Sequence, residues 1–474
     1  MSIAAATVWE VRPTNGVDTN GGGFVTGAAG TDFSQQNAKN SSGTNISTTD
    51  GVGVGTTTWA SATGNFTSAL VGNIIYLTGS GITTGWYQVT AYSSSSSITL
   101  DRNPGTGTGA TMNIGGALKT LGQLISNFVN GNNAWVKAEA TISISAGINF
   151  NFTTNYVFSF IAGYTSTRGD GGQVTLQASS TGLTMLTLSN NNSTNTTQIR
   201  NFILDCNTKT SVNGVSMQSN GCIFDNLTVK NQQGGTCFNL QNNGSNSGTL
   251  RNCTAMNSDN VVGFQDGSGV RNLMIRCVAT GLTSSAGTSS GFQCTEGTYI
   301  SCIASNNSGS TCDGFVLNSG AGAYTFMNCV AYNNGRHGWF FNSGFTISYP
   351  IIMENCIAAL NGEWGIKNSL NSSPDPNNGG LMINFMAFYS NTSGDVSGIT
   401  SPATKVTLSG DPFVSGSGNN FQLNSTAGAG AACRAAGTPG VYLSGTGYED
   451  IGVLQHQDSG GSAGMLFVPN LEGT

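Results

Sequence analysis

Through the middle of the chain, apolar and polar positions alternate in short bursts, and the bursts themselves repeat. Asn252-Cys-Thr-Ala255, Arg276-Cys-Val-Ala279, Ser301-Cys-Ile-Ala304, Asn328-Cys-Val-Ala331 and Asn355-Cys-Ile-Ala358 are copies of one unit. Their cysteines, Cys253, Cys277, Cys302, Cys329 and Cys356, are spaced 24, 25, 27 and 27 residues apart. A second column runs in phase: Gly263-Phe264, Gly291-Phe292, Gly314-Phe315, Gly338-Trp339 and Gly365-Ile366. Weaker copies extend the series up to Phe202/Leu204 and Leu227/Val229, and down to Phe385/Ala387. In each unit Cys and Ala flank a variable residue, so a strand would turn both to the same side. Short period-two strands with Gly, Asn and Ser turns, repeating every ~25 residues, predict the stacked coils of a parallel β-helix. The Cys and Phe/Trp columns then become internal ladders with a rise of about 4.8 Å per coil. The asparagine before cysteine in several coils predicts an amide ladder at a turn.

Outside the ladder the pattern changes. Residues 1–40 show no periodicity and read as an extended, loop-rich arm. Between 56 and 115, apolar runs at 69–77, 85–90 and 97–100 alternate with Gly/Ser/Pro turns and predict a small β domain. Gly115–Ile125 carries apolar residues at 118, 121, 124 and 125 and predicts a short amphipathic helix. Such a helix suits the mouth of a β-helix, where it would cover an open sheet edge. The organisation expected is an arm and particle-anchoring segment at 1–55, a β domain at 56–115, and a capping helix with linker at 116–133. The β-helix follows at 134–400, then a C-terminal β segment at 401–474. The fold class is all-β.

Composition narrows the function. Only 8% of the 474 residues are charged and 68 are glycine, which leaves little for long surface helices. With 16 Lys+Arg against 22 Asp+Glu the net charge is −6, the wrong sign for a nucleic-acid binder. A hydrophobic share of 38% with 23 Phe and 12 Tyr is enough to build a core. No apolar run reaches the ~18 residues of a membrane helix, and no basic segment followed by an apolar stretch marks a secretory leader. Eleven cysteines without a C-x-x-C pair predict buried, reduced thiols rather than disulfides or zinc.

Hydrolysis of a polysaccharide needs two carboxylates at about 5–5.5 Å or about 6.5–9.5 Å. Aligned on the Gly-Phe column, Asp313 lies two residues before Phe315, Arg336 and His337 just before Trp339, and Glu363 three before Ile366. One column would thus hold acid, cation and acid, with the carboxylates two coils apart, about 10 Å by the sheet spacing. Asp313 and Glu363 are the candidate catalytic pair. Arg336, His337, Trp339 and Trp364 are candidate substrate-binding residues, the indoles as platforms for sugar rings. The competing expectation is a solvated polar rim. Asp205, Asp225, Asp259, Asp266 and Glu296 read as turn residues or solvated charges. His337 and His456 are the only histidines and lie far apart in sequence, so no histidine-rich metal site is expected, and no cofactor.

The coils at 134–400 resemble the right-handed parallel β-helices of the pectate-lyase-like superfamily. The two ends resemble tailed-bacteriophage virion proteins. These are Val8-Trp-Glu-Val-Arg-Pro13 with Gly16–Phe24 at the start, and Gly410–Val414, Asn420–Leu423 and Gly447–Gly452 at the close. The resemblance implies a homotrimeric tailspike or fibre, made in the host cytoplasm and carried on the virion. It implies docking to tail or head proteins through the N-terminal arm and attachment to host-surface polysaccharide, without nucleic acid or membrane insertion. Some relatives of this kind cleave glycan, so a depolymerase is the alternative, as is a capsid decoration or head-fibre protein. A bacterial adhesin is a third reading.

Overall fold

A computed structural model describes residues 4, 6–36, 47–129, 131–151, 158–189, 197–218, 221–240, 248–267, 271–284, 289–318, 322–342, 350–369, 380–438 and 449–455. Gly447 and Tyr448, which open the last stretch of the closing resemblance, and His456 lie outside the described residues. The chain divides into two compact units, one of residues 1–143, 148–176 and 194–202, the other of 144–147, 177–193 and 203–474.

In the first unit the described part of the arm is loop-rich, as expected, but it is not a free extension, because its two short strands pair into the unit. Strand Thr7–Val11 pairs in parallel with Asn133–Lys137, and Asn133–Lys137 pairs in parallel with Ser159–Tyr164. The chain therefore starts as a rung of the solenoid, leaves it, and returns at Asn133, where the first coil was expected. Between the two lies a closed antiparallel barrel of six strands, running from Thr48–Val54 to Thr106–Ile114. It is wider than the 56–115 read from the sequence because Thr48–Val54 is one of its staves. Trp59, Leu77, Tyr87, Ile98 and Met112 fill its interior. The helix is Leu121–Asn127, shorter than expected, because Thr120 caps it by accepting from Gln123 N–H. The arm escaped sequence reading because one short strand carries no period of its own. A buried carboxylate fixes it. Glu10 is fully buried and bonds Arg168 Nε at 2.9 Å, Arg12 Nε at 3.3 Å and the Tyr164 hydroxyl. Arg168 continues to Asp32 at 2.9 Å and Ser34 at 3.0 Å.

The second unit is the ladder. Each central coil has three strands, for example Tyr324–Met327, Val330–Tyr332 and Trp339–Phe341. Equivalent strands pair in parallel from coil to coil, with Ala255, Ala279, Ala304, Ala331 and Ala358 in one register. Phe238, Phe264, Phe292, Phe315, Trp339 and Ile366 form the other column. This is the parallel β-helix that the repeat predicts. The four stacked ring pairs from Phe238 to Trp339 and the Cys/Ala column are the two ladders expected. Ring centroids are 4.7 to 5.0 Å apart and near parallel. All eleven cysteines are free and buried. Each column thiol donates to a carbonyl of the coil before it, such as Cys329 to Tyr299 O at 3.3 Å. Burial pushes the Cys253, Cys277, Cys302 and Cys329 thiols well above the usual range, so they behave as small apolar groups.

The corner residue before each column cysteine, and before Met386 in the last coil, is left-handed: Asn252, Arg276, Ser301, Asn328, Asn355 and Phe385 have φ between 52° and 56°. Asparagine recurs there because it tolerates this conformation best among non-glycine residues. Those asparagines do not make the amide ladder. The ladder stands five residues after Cys302, Cys329, Cys356 and Met386, where buried Asn307, Asn334, Asn361 and Asn391 are linked by amide hydrogen bonds of 2.8, 3.0 and 2.8 Å.

The glycine of the Gly-Phe pair is explained by a close approach and not by φ. A Cβ on Gly314 would lie 2.6 Å from the Gly338 carbonyl oxygen and 3.0 Å from the Asn334 amide nitrogen. Gly263, Gly291 and Gly338 meet the next coil in the same way. Gly314→Ala should therefore cost about 3 kcal/mol, because backbone and amide ladder must both give way. Equilibrium urea unfolding checks this, and a cost below about 1 kcal/mol would show that the coil spacing yields freely.

The C-terminal segment is part of the same core. Wherever the variable residue between Cys and Ala is apolar, it faces this segment. Val330, Ile357 and Ile303 pack with Phe413, Phe421, Leu423 and Ile451. Asp411 accepts from the Tyr332 hydroxyl at 2.7 Å, and Asn419 Oδ1 accepts from Thr280, Ser305 and Asn306. The segment that reads as a plain exit is a strap over one face of the coils.

Candidate functional site

The column aligned on the Gly-Phe pair is real: Phe315 pairs with Trp339, and Trp339 with Ile366. That register brings Asp313, Arg336, His337 and Glu363 onto successive coils. Asp313 opens its strand, and Trp364 opens the equivalent strand two coils on. Arg336 and His337 lie in the turn before Trp339–Phe341.

The chemistry within the column is uneven. Asp313 is 1% exposed, and Arg336 binds both its oxygens, Nε to Oδ1 at 2.8 Å and Nη2 to Oδ2. His337 N–H donates to Oδ1 at 3.1 Å. Burial raises the Asp313 carboxyl while Arg336 opposes that shift, and the ion pair in turn raises Arg336. Asp313 is thus a neutralised anchor that orients a guanidinium, with its oxygens committed. Arg336 sits over Phe340, with its Cζ 4.7 Å from the ring centroid.

His337 links this anchor to the surface. Its Nδ1 accepts from Trp364 N–H at 3.4 Å, and its Nε2 lies 3.6 Å from Glu363 Oε2. Burial, then the charges of Arg336 and Lys367, lower its pKa to about 4. The imidazole is therefore neutral at ordinary pH, and Nδ1 as acceptor leaves the proton on Nε2, facing Glu363. Glu363 remains open to solvent, its side chain 48% exposed. Half-buried Trp364 lies against Gly394, where a Cβ would come within 2.8 Å of the ring. Lys367 Nζ sits 5.8 Å from that indole and 3.1 Å from Ser397 Oγ.

Two of the sequence expectations need correction. Trp339 offers no face to a ligand, because it is fully buried, stacked at 5.0 Å on Phe315 in the aromatic ladder. Asp266 and Glu296, read as turn or solvated charges, are 1% and 5% exposed. Asp266 accepts from Asn272, from Gly267 N–H at 3.0 Å and from the Tyr299 hydroxyl at 2.8 Å. Burial, with Glu296 as a lesser repulsive neighbour, lifts its pKa to about 7. Sequence reasoning also missed Phe340 and Lys367, which sit on the strands next to Trp339 and Trp364. The alternation that puts Trp339 and Ile366 inside puts Phe340 and Lys367 outside, and that signal was available.

Asp205 accepts from Asn207 N–H in a turn, as expected, but is buried rather than solvated, and half-buried Asp225 pairs with Arg251. Among the described residues no three His, Cys, Asp or Glu side chains converge as a metal site.

No family model and no curated protein matches the chain. Several solved structures align with it. A pectate lyase, Pel9A, aligns at 15% identity over 72% of this chain and 92% of its own, with a TM-score of 0.49. The A-module of the mannuronan C-5 epimerase AlgE4 of Azotobacter vinelandii aligns at 14% identity over 61% and 76%, with a TM-score of 0.38. An ORF18 protein of Geobacillus virus E2 aligns at 11% over 59% and 55%, with a TM-score of 0.28.

The column offers one open carboxylate, a neutral imidazole behind it, an indole and an ammonium. It can hold hydroxyls and stack a sugar ring. It does not present a second free carboxylate opposite the first, because Asp313 is locked.

Proposed function

We propose that this chain is a virion attachment protein of a tailed phage, a β-helical tailspike or fibre that binds host-surface polysaccharide without cleaving it. The observation that carries the reading is the contrast between exposed Glu363, backed by His337, and buried Asp313, chelated by Arg336. Two-carboxylate hydrolysis needs both groups free to reach the glycosidic bond, so the column supports binding. Trp364 supplies the apolar face for a pyranose, and Glu363 and Lys367 supply polar groups for its hydroxyls. The low charge and the coil-on-coil stacking suit a rigid rod, whose stability is a sum of neighbour terms. The resemblance of the chain ends supports the virion setting. Most of the N-terminal arm is built into the first unit, so particle docking falls to the face of that unit. Trimerisation would multiply weak single-site contacts.

The test is binding of the purified chain to bacterial surface polysaccharides on an array, with reducing-end and unsaturated-product assays on the positives. Binding without new ends is expected, with Trp364→Ala and Glu363→Gln each weakening it about fivefold to tenfold. Because His337 stays neutral above its depressed pKa, affinity should be flat from about pH 5.5 to 8. Release of fragments, abolished by Glu363→Gln, would replace this reading with the depolymerase. Sedimentation at about three times the 48.6 kDa chain mass is expected for the trimer.

A further inference from the structure

Arginine in this chain is usually spent on a carboxylate: Arg12 and Arg168 on Glu10, Arg102 on Asp101, Arg251 on Asp225, Arg336 on Asp313. Arg200 departs from that rule. None of the described residues offers it an acidic or hydrogen-bonding partner, and its Nε is buried and unbonded. What holds it is a pair of rings. Its Cζ lies 5.0 Å from the Phe160 centroid and 5.5 Å from that of Trp135.

Register explains the arrangement. Trp135, Ala162 and Arg200 are Cα partners on three successive parallel strands of the first unit. The small Ala162 side chain leaves a gap between indole and guanidinium, and Arg200 reaches across it. Phe160 meets Trp135 edge to face at 5.0 Å, and Phe158 extends the cluster at 6.3 Å with half of its surface exposed. Trp135, Phe160 and Arg200 are all only half-buried.

A guanidinium stacked on aromatic faces keeps its Nη edge directed away from the rings, and that edge matches a carboxylate or phosphate bidentately. Among the described residues the cation meets no anion, in a chain of net charge −6, and aromatic surface adjoins it. We infer that Arg200, Trp135, Phe160 and Phe158 form a second ligand site, on the first unit, for an acidic sugar: a pyranose carrying a carboxylate or phosphate. The ring hydrogens would lie on Phe158 and Phe160, and the anionic group on Arg200. This site shares no residue with the Glu363 column and stands or falls apart from it.

Titration calorimetry of the full chain with galacturonate oligomers, glucose 1-phosphate and neutral gluco-oligomers tests the inference. At least one acidic probe should bind, and the neutral oligomer should not compete at this site. Arg200→Gln should weaken the acidic probe about tenfold or more, while Arg200→Lys recovers only part of that loss. Phe158→Ala, at an exposed position that leaves the fold intact, should weaken it about fivefold. Glu363→Gln should leave it unchanged. A carboxylate-only or phosphate-only response identifies the anion. Failure of both acidic probes, or equal binding by Arg200→Gln with an unchanged melting temperature, overturns the proposal.

Discussion

Phe292→Ala should lower the unfolding free energy by about 3–5 kcal/mol, the range for truncating a buried aromatic side chain. Phe292 is fully buried between Phe264 and Phe315, 4.7 Å from each, and meets Tyr299 edge-on at 6.3 Å. Each aromatic contact adds about 0.5–1.5 kcal/mol beyond area burial, so the middle of the stack loses three at once. Neighbouring coils cannot close the gap, because their spacing is set by backbone hydrogen bonds on every face. Phe238→Ala, with a single stacked partner at 4.7 Å, should cost less. Paired urea curves for the two variants measure the difference. Equal losses would mean that burial alone, not stacking, stabilises the column.

The second large effect is electrostatic. Asp266 carries a pKa raised by burial to about 7, so its folded form holds a proton that the unfolded chain has lost. That contribution is complete below the unfolded pKa of about 4 and disappears as pH climbs through 7. Three units correspond to roughly 4 kcal/mol, so stability should fall between pH 4 and pH 7.5 by up to about that amount from this residue. His337 acts in the opposite sense. Its pKa is lowered to about 4, so its contribution is present above the unfolded value of about 6.5 and is lost on acidification. Comparing the wild-type chain with Asp266→Asn at each pH cancels the histidine and isolates the aspartate. The variant should gain on the wild type as pH rises. Parallel curves would mean that Asn272, Gly267 and Tyr299 keep Asp266 ionised throughout.

The candidate site was legible in part. The alignment on Gly-Phe placed Asp313, Arg336, His337 and Glu363 on neighbouring coils, since pairing in a parallel solenoid carries sequence register directly into space. It did not reveal which carboxylate is free. That depends on Arg336 reaching back to clasp Asp313, and on His337 turning one nitrogen to Trp364 N–H and the other to Glu363. Side-chain reach and burial have no one-dimensional signature, and neither has the depth at which Asp266 sits.

The sequence alone determined the all-β solenoid, its coil length and the thiol and aromatic ladders. Each of these repeats, and a repeated contact writes itself into a repeated residue. Everything that happens once was decided by the tertiary structure. Strand Thr7–Val11 becomes a rung only because Glu10 finds Arg168 and Tyr164 far along the chain. The amide ladder falls five residues from the cysteine, because the corner asparagines are occupied with left-handed turns. The C-terminal strap finds the face where Val330 and Ile357 would otherwise be wet. Arg200 meets Trp135 and Phe160 through strand register and one small alanine. Contacts of this kind join unlike residues at unrelated separations, so no period announces them, and only the folded chain brings them together.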